Sequence, residues 1–532
     1  MLQTFHKDAL KYLPSRILPA LVSVLTIPVF TRLFAPGEYG MYVLVMTTVY
    51  VLGAIVDWLG MAIIRFYPAS EREGRVPQLF SAVLTALIFT MTPLLIISLA
   101  ALALLRAHLD PTLYHLMLIG VLLFVVGAGS EVALNFLRSR REIGRYSVFA
   151  LWKSIAGVLL GILLVMVFDF GILGLLWGHV IASLIILPFV WKLAYKIPPL
   201  RGAEGCYGDE AMKLLNLPAS IRIKEHSAQA GNRKRIKFLR HALDLFSFNA
   251  IRSSLPLAAT MAKYSMPLVA GNLALWVLSL SDRYIIEYFH GSHAVGVYSV
   301  SYSLTEKTIL FLTALFRTAS APLEMATWEK EGGQKSQALV ESVTRAYILL
   351  AVPLVVLLFG FAQPIVAMLT TAPYHEGYRL VPFVAAAIFL SGLEERFESG
   401  LLYQKKTNVI MLLVAAAGLA NIALNLFFVP RYGYMAAALT TLVCYAALFL
   451  AIMLISLKHF TWKFPLLTLA RSGGAALATA MIILSFFSFS NSFSALDLFL
   501  SLALAMTLYC AGVLLLGEIS IAEIRGFMSL KR

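Results

Sequence analysis

The chain has 532 residues, of which 60% are hydrophobic and 13% charged. A soluble chain of that length needs polar surfaces on each of its domains, and this composition excludes it. The formal charge of +15 sits mostly in short loops, so membrane topology accounts for it better than a nucleic-acid partner does.

A bilayer core about 30 Å thick is crossed by about 20 apolar helical residues. Such segments recur along this chain and predict an all-α polytopic membrane protein with about fourteen transmembrane helices. Met1 to Lys11 is short and polar, and no small-residue cleavage site follows the first apolar stretch. That stretch is therefore expected to stay as a helix. The first half has spans at 13–34, 39–64, 79–105, 113–137, 147–168 and 171–191. The second half has spans at 264–281, 294–316, 346–369, 379–403, 408–428 and 433–457, followed by two more at 465–487 and 496–516.

Basic residues alternate across these spans. With the N-terminus in the cytoplasm, the inner loops hold clusters such as Arg65, Arg72 and Arg75, or Arg138, Arg140, Arg141 and Arg145. The outer loops hold only Arg32, Arg106, Arg283, Arg379 and Arg431, one each. One span more or fewer would scramble the alternation, so both termini are expected to be cytoplasmic.

One loop is long. Leu193 to Lys263 carries the run Arg233-Lys234-Arg235-Ile236-Lys237-Phe238-Leu239-Arg240. It reads either as a helix on the anionic inner leaflet or as an unstructured loop that reinforces topology. The expected domains are a six-helix lobe at 1–193, a basic cytoplasmic loop at 194–263, a second six-helix lobe at 264–458, and two further helices with a cytoplasmic tail at 459–532.

The lobes echo each other. Thr31-Arg32-Leu33-Phe34 with Glu38-Tyr39-Gly40-Met41-Tyr42 is matched by Asp282-Arg283-Tyr284-Ile285 with Ala294-Val295-Gly296-Val297-Tyr298. An even number of spans per lobe makes this a parallel pseudo-repeat about an axis along the membrane normal. Transporters of that design enclose a cavity between two lobes and open it alternately.

These stretches resemble the bacterial polysaccharide flippases of the Wzx type, in the multidrug/oligosaccharidyl-lipid/polysaccharide exporter superfamily. The similar residues are Thr26 to Tyr42, Gly60 to Tyr67, Ser281 to Ile286, Gly296 to Tyr302 and Asn425 to Leu439. The resemblance covers most of the chain apart from the central loop. It implies translocation of undecaprenyl-diphosphate-linked oligosaccharide repeat units across the bacterial cytoplasmic (inner) membrane for O-antigen, capsule or exopolysaccharide assembly. It implies alternating access coupled to an ion gradient, and lipids, glycosyltransferases and a polymerase as partners. In relatives with fourteen spans, the last two are thought to offer a groove for the polyprenyl tail.

An anionic headgroup needs a polar, cation-lined cavity, because phosphate oxygens accept charge-assisted hydrogen bonds. Charges within spans should face the interior. The expected substrate-binding set is Arg16, Arg65, Glu131, Asn135, Arg138, Lys153, Arg283 and Lys307. The expected ion-coupling or counter-ion set is Asp57, Asp282 and Glu306.

Each position also has a structural reading. Lys307 could join two helices as half of an ion pair, although Glu306 points about 100° away from it. Glu131, Asn135 and Arg138 share one face of span four. Gly157 and Gly161 follow Lys153 at helical spacing and suit close packing. Asp282 and Arg283 equally suit an interfacial cap, and Glu394, Glu395 and Arg396 read most simply as a solvated helix end, with an inner gate as the alternative.

Cys206, Cys444 and Cys510 form no CxxC pair, and the ten histidines form no metal-ligand motif. No glycine-rich phosphate loop is present. The expectation is a transporter that is not an enzyme and needs no cofactor or metal. The rival readings are a multidrug extruder of the same superfamily and a flippase for the peptidoglycan precursor, lipid II. A membrane-embedded glycosyltransferase would need a large outer loop, and every outer loop here is short.

Overall fold

The computed structural model describes residues 18, 22–195, 248–486 and 494–519. Arg16 and the basic run 233–240 lie outside the described residues. The first part comprises α1 (Val22–Leu33), α2 (Pro36–Val56), α3 (Trp58–Arg72), α4 (Val76–Leu105), α5 (Pro111–Ser139), α6 (Ile143–Phe168) and α7 (Leu173–Tyr195). Next come α8 (Phe248–Glu331), α9 (Gly333–Gly360), α10 (Ala362–Leu369) and a 3-10 turn, Ala372–Leu380. The chain then forms α11 (Val381–Tyr403), α12 (Thr407–Tyr432), α13 (Tyr434–Leu457), α14 (Leu466–Phe486) and α15 (Ala495–Leu515).

Among the described residues, eleven helices are long and apolar enough to cross a membrane. Three further features bring this to about fourteen crossings. α1 is a shorter apolar helix. α11 has full length but carries Glu394, Glu395, Arg396 and Glu398. α8 is long enough for two crossings and turns back at Gly291, whose φ of 74° is a left-handed conformation that glycine adopts freely. The chain is a multi-pass membrane protein.

Helix ends differ from the sequence prediction where polar residues continue a helix. Span two is interrupted at Asp57 and runs on to Arg72. Span eight runs to Glu331, so Arg317 and Lys330 lie on helix rather than loop. In both places Ala, Glu and Arg, good helix formers, carry the helix on.

The described residues fall into two compact units. One takes Leu52–Phe168 and Leu175–Val269; the other takes the residues up to Val51, Asp169–Gly174 and those from Ala270. In the first unit, α3, α4 and α5 pack on one another around Tyr67, Phe80 and Phe136. Arg140 closes one end of it. Its guanidinium donates to the Tyr67 hydroxyl at 3.1 Å, to the Leu193 carbonyl at 2.7 Å and to the Ala194 carbonyl. A cation on the last carbonyls of a helix satisfies acceptors that have no partner within the helix. Gly178 lies against the backbone of Gly157 and Gly161 with no room for a Cβ, the close helix approach expected of those glycines. Only 6% of the most apolar window of α4 and 11% of that of α6 are buried, which suits helices solvated by lipid.

In the second unit α11 packs on α13 and α9, α12 on α13, and α14 on α9 and α15. Asn421 and Asn425 of α12 bond Thr441 and Thr440 of α13 at 3.3 and 2.5 Å, polar links suited to a medium with no competing water. The Pro36 end of α2 meets the second half of α8: Gly40 and Gly296 allow backbone contact with Ser292 and Pro36. Thr371 and Tyr374 donate to the carbonyls of Thr31 and Phe34 at 2.7 and 3.0 Å. Thus α1 and the first part of α2 are bonded to the second-repeat helices at that end.

Candidate functional site

Most of the predicted site residues gather in two neighbourhoods within the membrane-spanning helices. The first belongs to the first unit. Glu131, Asn135 and Arg138 follow one another along one face of α5, as their spacing requires. Lys153 of α6 reaches across to that face. Its Nζ is 2.7 Å from Glu131 Oε1 and 3.4 Å from the Gly127 carbonyl. Asp57, at the α2–α3 interruption, turns Oδ1 toward Gly60, and Asn135 Nδ2 approaches the same glycine. A Cβ on Gly60 would lie 2.5 Å from that nitrogen and 3.0 Å from the Asp57 oxygen. Asp57 interacts electrostatically with Glu131 and Arg138. Five predicted residues thus meet in one place. Asp57, Glu131 and Arg138 are exposed, and Lys153 is half-buried.

Arg65 stands apart from this group, with its guanidinium 5.9 Å from the Tyr264 ring centre. Arg65, Arg72 and Tyr264 line a cavity of about 420 Å³ with Met61, Ile64, Pro68 and Ala69.

The second neighbourhood lies in α8, in the second unit. Asp282 and Arg283 are 1% and 3% exposed. The interfacial-cap reading is therefore corrected: the helix continues past them to the turn at Gly291, and both side chains point into protein. Arg283 Nη1 lies 3.1 Å from Asp282 Oδ1 and donates to the Ser279 carbonyl at 2.9 Å. Its guanidinium stacks over Tyr302 at 4.9 Å and Tyr298 at 5.8 Å. The Tyr298 hydroxyl donates to the other Asp282 oxygen. A buried charge is tolerated when it is paired and hydrogen-bonded, and Arg283 meets both conditions within its own helix hairpin. Glu306 and Lys307 are half-buried and both feel the charge of Arg283. The structure thus gathers Asp282, Arg283, Glu306 and Lys307 together. Tyr298, Tyr302 and Ser279 were missed by sequence reasoning. Their signal was helical spacing: Ser279 is one turn before Arg283, and Tyr298 one turn before Tyr302.

The solvated-end reading of Glu394, Glu395 and Arg396 is also overturned. Glu394 and Arg396 are buried, as is Glu324 on α8. Arg396 Nη1 donates to Ser320 Oγ at 2.9 Å and lies 3.3 Å from Glu324 Oε1, while Ser399 Oγ donates to Glu324 Oε2 at 2.8 Å. Arg317 and Arg396 both approach Glu395, at 3.4 and 3.5 Å. The reason is tertiary: α8 runs on beyond its predicted end and covers this face of α11. Among the described residues, no cluster of His, Cys, Asp and Glu is placed to hold a metal ion.

The fold is similar to that of solved transporters. The lipid II flippase MurJ in an inward closed conformation aligns with a TM-score of 0.64 at 15% identity, over 95% of this chain and 97% of that one. An outward-facing multidrug resistance MATE family transporter of the MOP superfamily aligns at 0.52 with 14% identity, over 85% and 95%. A eukaryotic MATE transporter aligns at 0.53 with 11% identity, over 88% and 97%. At these identities the likeness establishes the fold. No curated protein sequence matches the chain significantly. The sequence profile of the family described as polysaccharide biosynthesis protein matches residues 29–204 and 247–379, more than half of the 532 residues. The chain belongs to the polysaccharide biosynthesis protein family.

Proposed function

We propose that this chain is a flippase that carries undecaprenyl-diphosphate-linked oligosaccharide repeat units across the bacterial inner membrane for surface polysaccharide assembly. Two six-helix lobes alternate access to a central site, driven by an ion gradient, with both termini in the cytoplasm. The two C-terminal helices serve the lipid tail, and glycosyltransferases and a polymerase act before and after it.

The observation that carries this reading is the polar face of α5 with Lys153, set within spans of a polysaccharide-family chain. Asn135, Arg138 and Lys153 are donors to phosphate or sugar oxygens. Asp57 and Glu131 supply carboxylates that balance these cations or exchange a coupling ion. Such groups in a span are costly unless they face an aqueous or ligand-filled space. Lys307 is a second cation for the diphosphate.

The test uses cells that lack this chain. Polyprenyl-diphosphate lipids are extracted and assigned to a leaflet. The expected result is a sugar repeat unit accumulating on the inner leaflet, cleared by the wild-type gene and not by Lys307→Ala. No accumulation, with altered sensitivity to cationic drugs, would replace this reading with a multidrug extruder.

A further inference from the structure

α2 and the first half of α8 run antiparallel, and where they meet they expose aromatic rings. Tyr50 and Trp276 are stacked with ring centres 5.8 Å apart and planes 21° from parallel. About two helical turns nearer the Gly291 end on the α8 side, the Tyr284 hydroxyl is 2.8 Å from Thr48 Oγ1. Tyr50 is 51% exposed and Tyr284 39%, and Tyr50 and Trp276 lie deep within membrane-spanning helices.

Their depth is informative. Tyrosine and tryptophan that meet lipid collect at the membrane interfaces. At 1.5 Å rise per residue, Tyr50 and Trp276 lie about 20 Å along their helices from the Pro36 and Gly291 ends. A phenol hydroxyl facing hydrocarbon at that depth would cost several kcal/mol. These rings therefore face a polar space or a ligand.

None of Thr48, Tyr50, Trp276 and Tyr284 carries a charge, so the surface suits a neutral ligand rather than a diphosphate. A pyranose ring offers a face of C–H bonds with partial positive charge and a rim of hydroxyls. The electron-rich face of an aromatic ring attracts the former, and the Tyr284–Thr48 hydroxyl pair can donate to or accept from the latter. We infer that Tyr50 and Trp276 form a stacking platform for a sugar ring of the transported glycan, with Tyr284 and Thr48 bonding its rim. The inference rests on the flippase reading above and assigns the sugar-binding part of its site.

The test uses the purified full chain in lipid nanodiscs. Binding is measured for two probes: undecaprenyl diphosphate alone and the same lipid bearing an N-acetylglucosamine-containing disaccharide. Wild type is expected to bind the sugar-bearing lipid more tightly. Trp276→Ala is expected to weaken that binding about threefold to tenfold, the scale of one aromatic contact, and to leave the bare lipid unchanged. Trp276→Phe, which keeps a ring, is expected to retain most of the preference. Unchanged binding of the bare lipid also shows that the variant is folded. Equal loss for both lipids, or no loss for the sugar-bearing one, overturns the platform alone. Wild type that binds neither lipid overturns the flippase reading and the platform with it.

Discussion

Gly40 lies so close to Gly296 that a Cβ added to Gly40 would stand 2.9 Å from the Gly296 nitrogen and collide with the Ser292 carbonyl. The contact joins α2 to the second half of α8 through backbone alone. Gly40→Ala is expected to destabilise the purified protein by about 1–3 kcal/mol, as overpacking does, read as a fall in thermal unfolding midpoint. Gly53→Ala is the control. It lies on the same helix with nothing within 4 Å of its added Cβ, so it should be neutral or slightly stabilising. A Gly40→Ala midpoint equal to that of Gly53→Ala would show that the two helices are not held this closely.

The buried pair of Arg396 and Glu324 makes a sharper demand. Removing one partner strands the other in the core, at a cost of about 3–5 kcal/mol. Arg396→Leu is expected to reduce cellular abundance severely. Arg396→Leu with Glu324→Leu should recover much of the loss, because no lone charge remains. Abundance of the double variant at or below that of Arg396→Leu would refute the pairing.

Glu518, just beyond α15, gives a pH dependence. Burial pushes its carboxyl up, but hydrogen bonds from Thr468, Arg345 and Arg471 and the charge of Arg345 outweigh it and hold it below the usual carboxylate range. A depressed folded value adds stability above the unfolded value of about 4.3 and loses it as pH falls through the folded one. Wild-type protein should therefore lose more stability than Glu518→Gln between neutral pH and pH values below about 4. Parallel acid-unfolding curves for the two proteins would contradict this.

Lys153 and Glu131 test the proposed cavity. Replacing Lys153 with Met removes a charge-assisted donor worth about 1.5–3 kcal/mol and should lower polymer output about tenfold or more. Exchanging the pair as Lys153→Glu with Glu131→Lys should preserve abundance, because a salt bridge can re-form. Output should stay low, because the cation has moved. Full output from the exchanged pair would make the bridge purely structural.

The spans were legible in the sequence because lipid imposes a length and a polarity on every crossing. The α5 stripe was legible too, since it follows from local spacing. The burial of Asp282 and Arg283 was not. Their outer-end position looks the same whether Tyr298 and Tyr302 fold back over them or water does. Arg396 was misread for a similar reason: its partners Ser320 and Glu324 lie 76 and 72 residues away, and α8 continues past the end that hydropathy gives it. The stacking of Tyr50 on Trp276 was equally hidden, because it depends on the register between two helices far apart in sequence.

Arg283 has as its counter-ion the residue immediately before it in the chain. Two opposite charges on neighbouring residues travel together however their helix tilts or slides. Moving one elementary charge through a membrane potential is worth about 2.3 kcal/mol per 100 mV; moving this neutral couple is worth almost nothing. The most deeply buried arginine of the described spans is thus electrically silent, and any voltage sensitivity of the proposed transport cycle must arise from other charges.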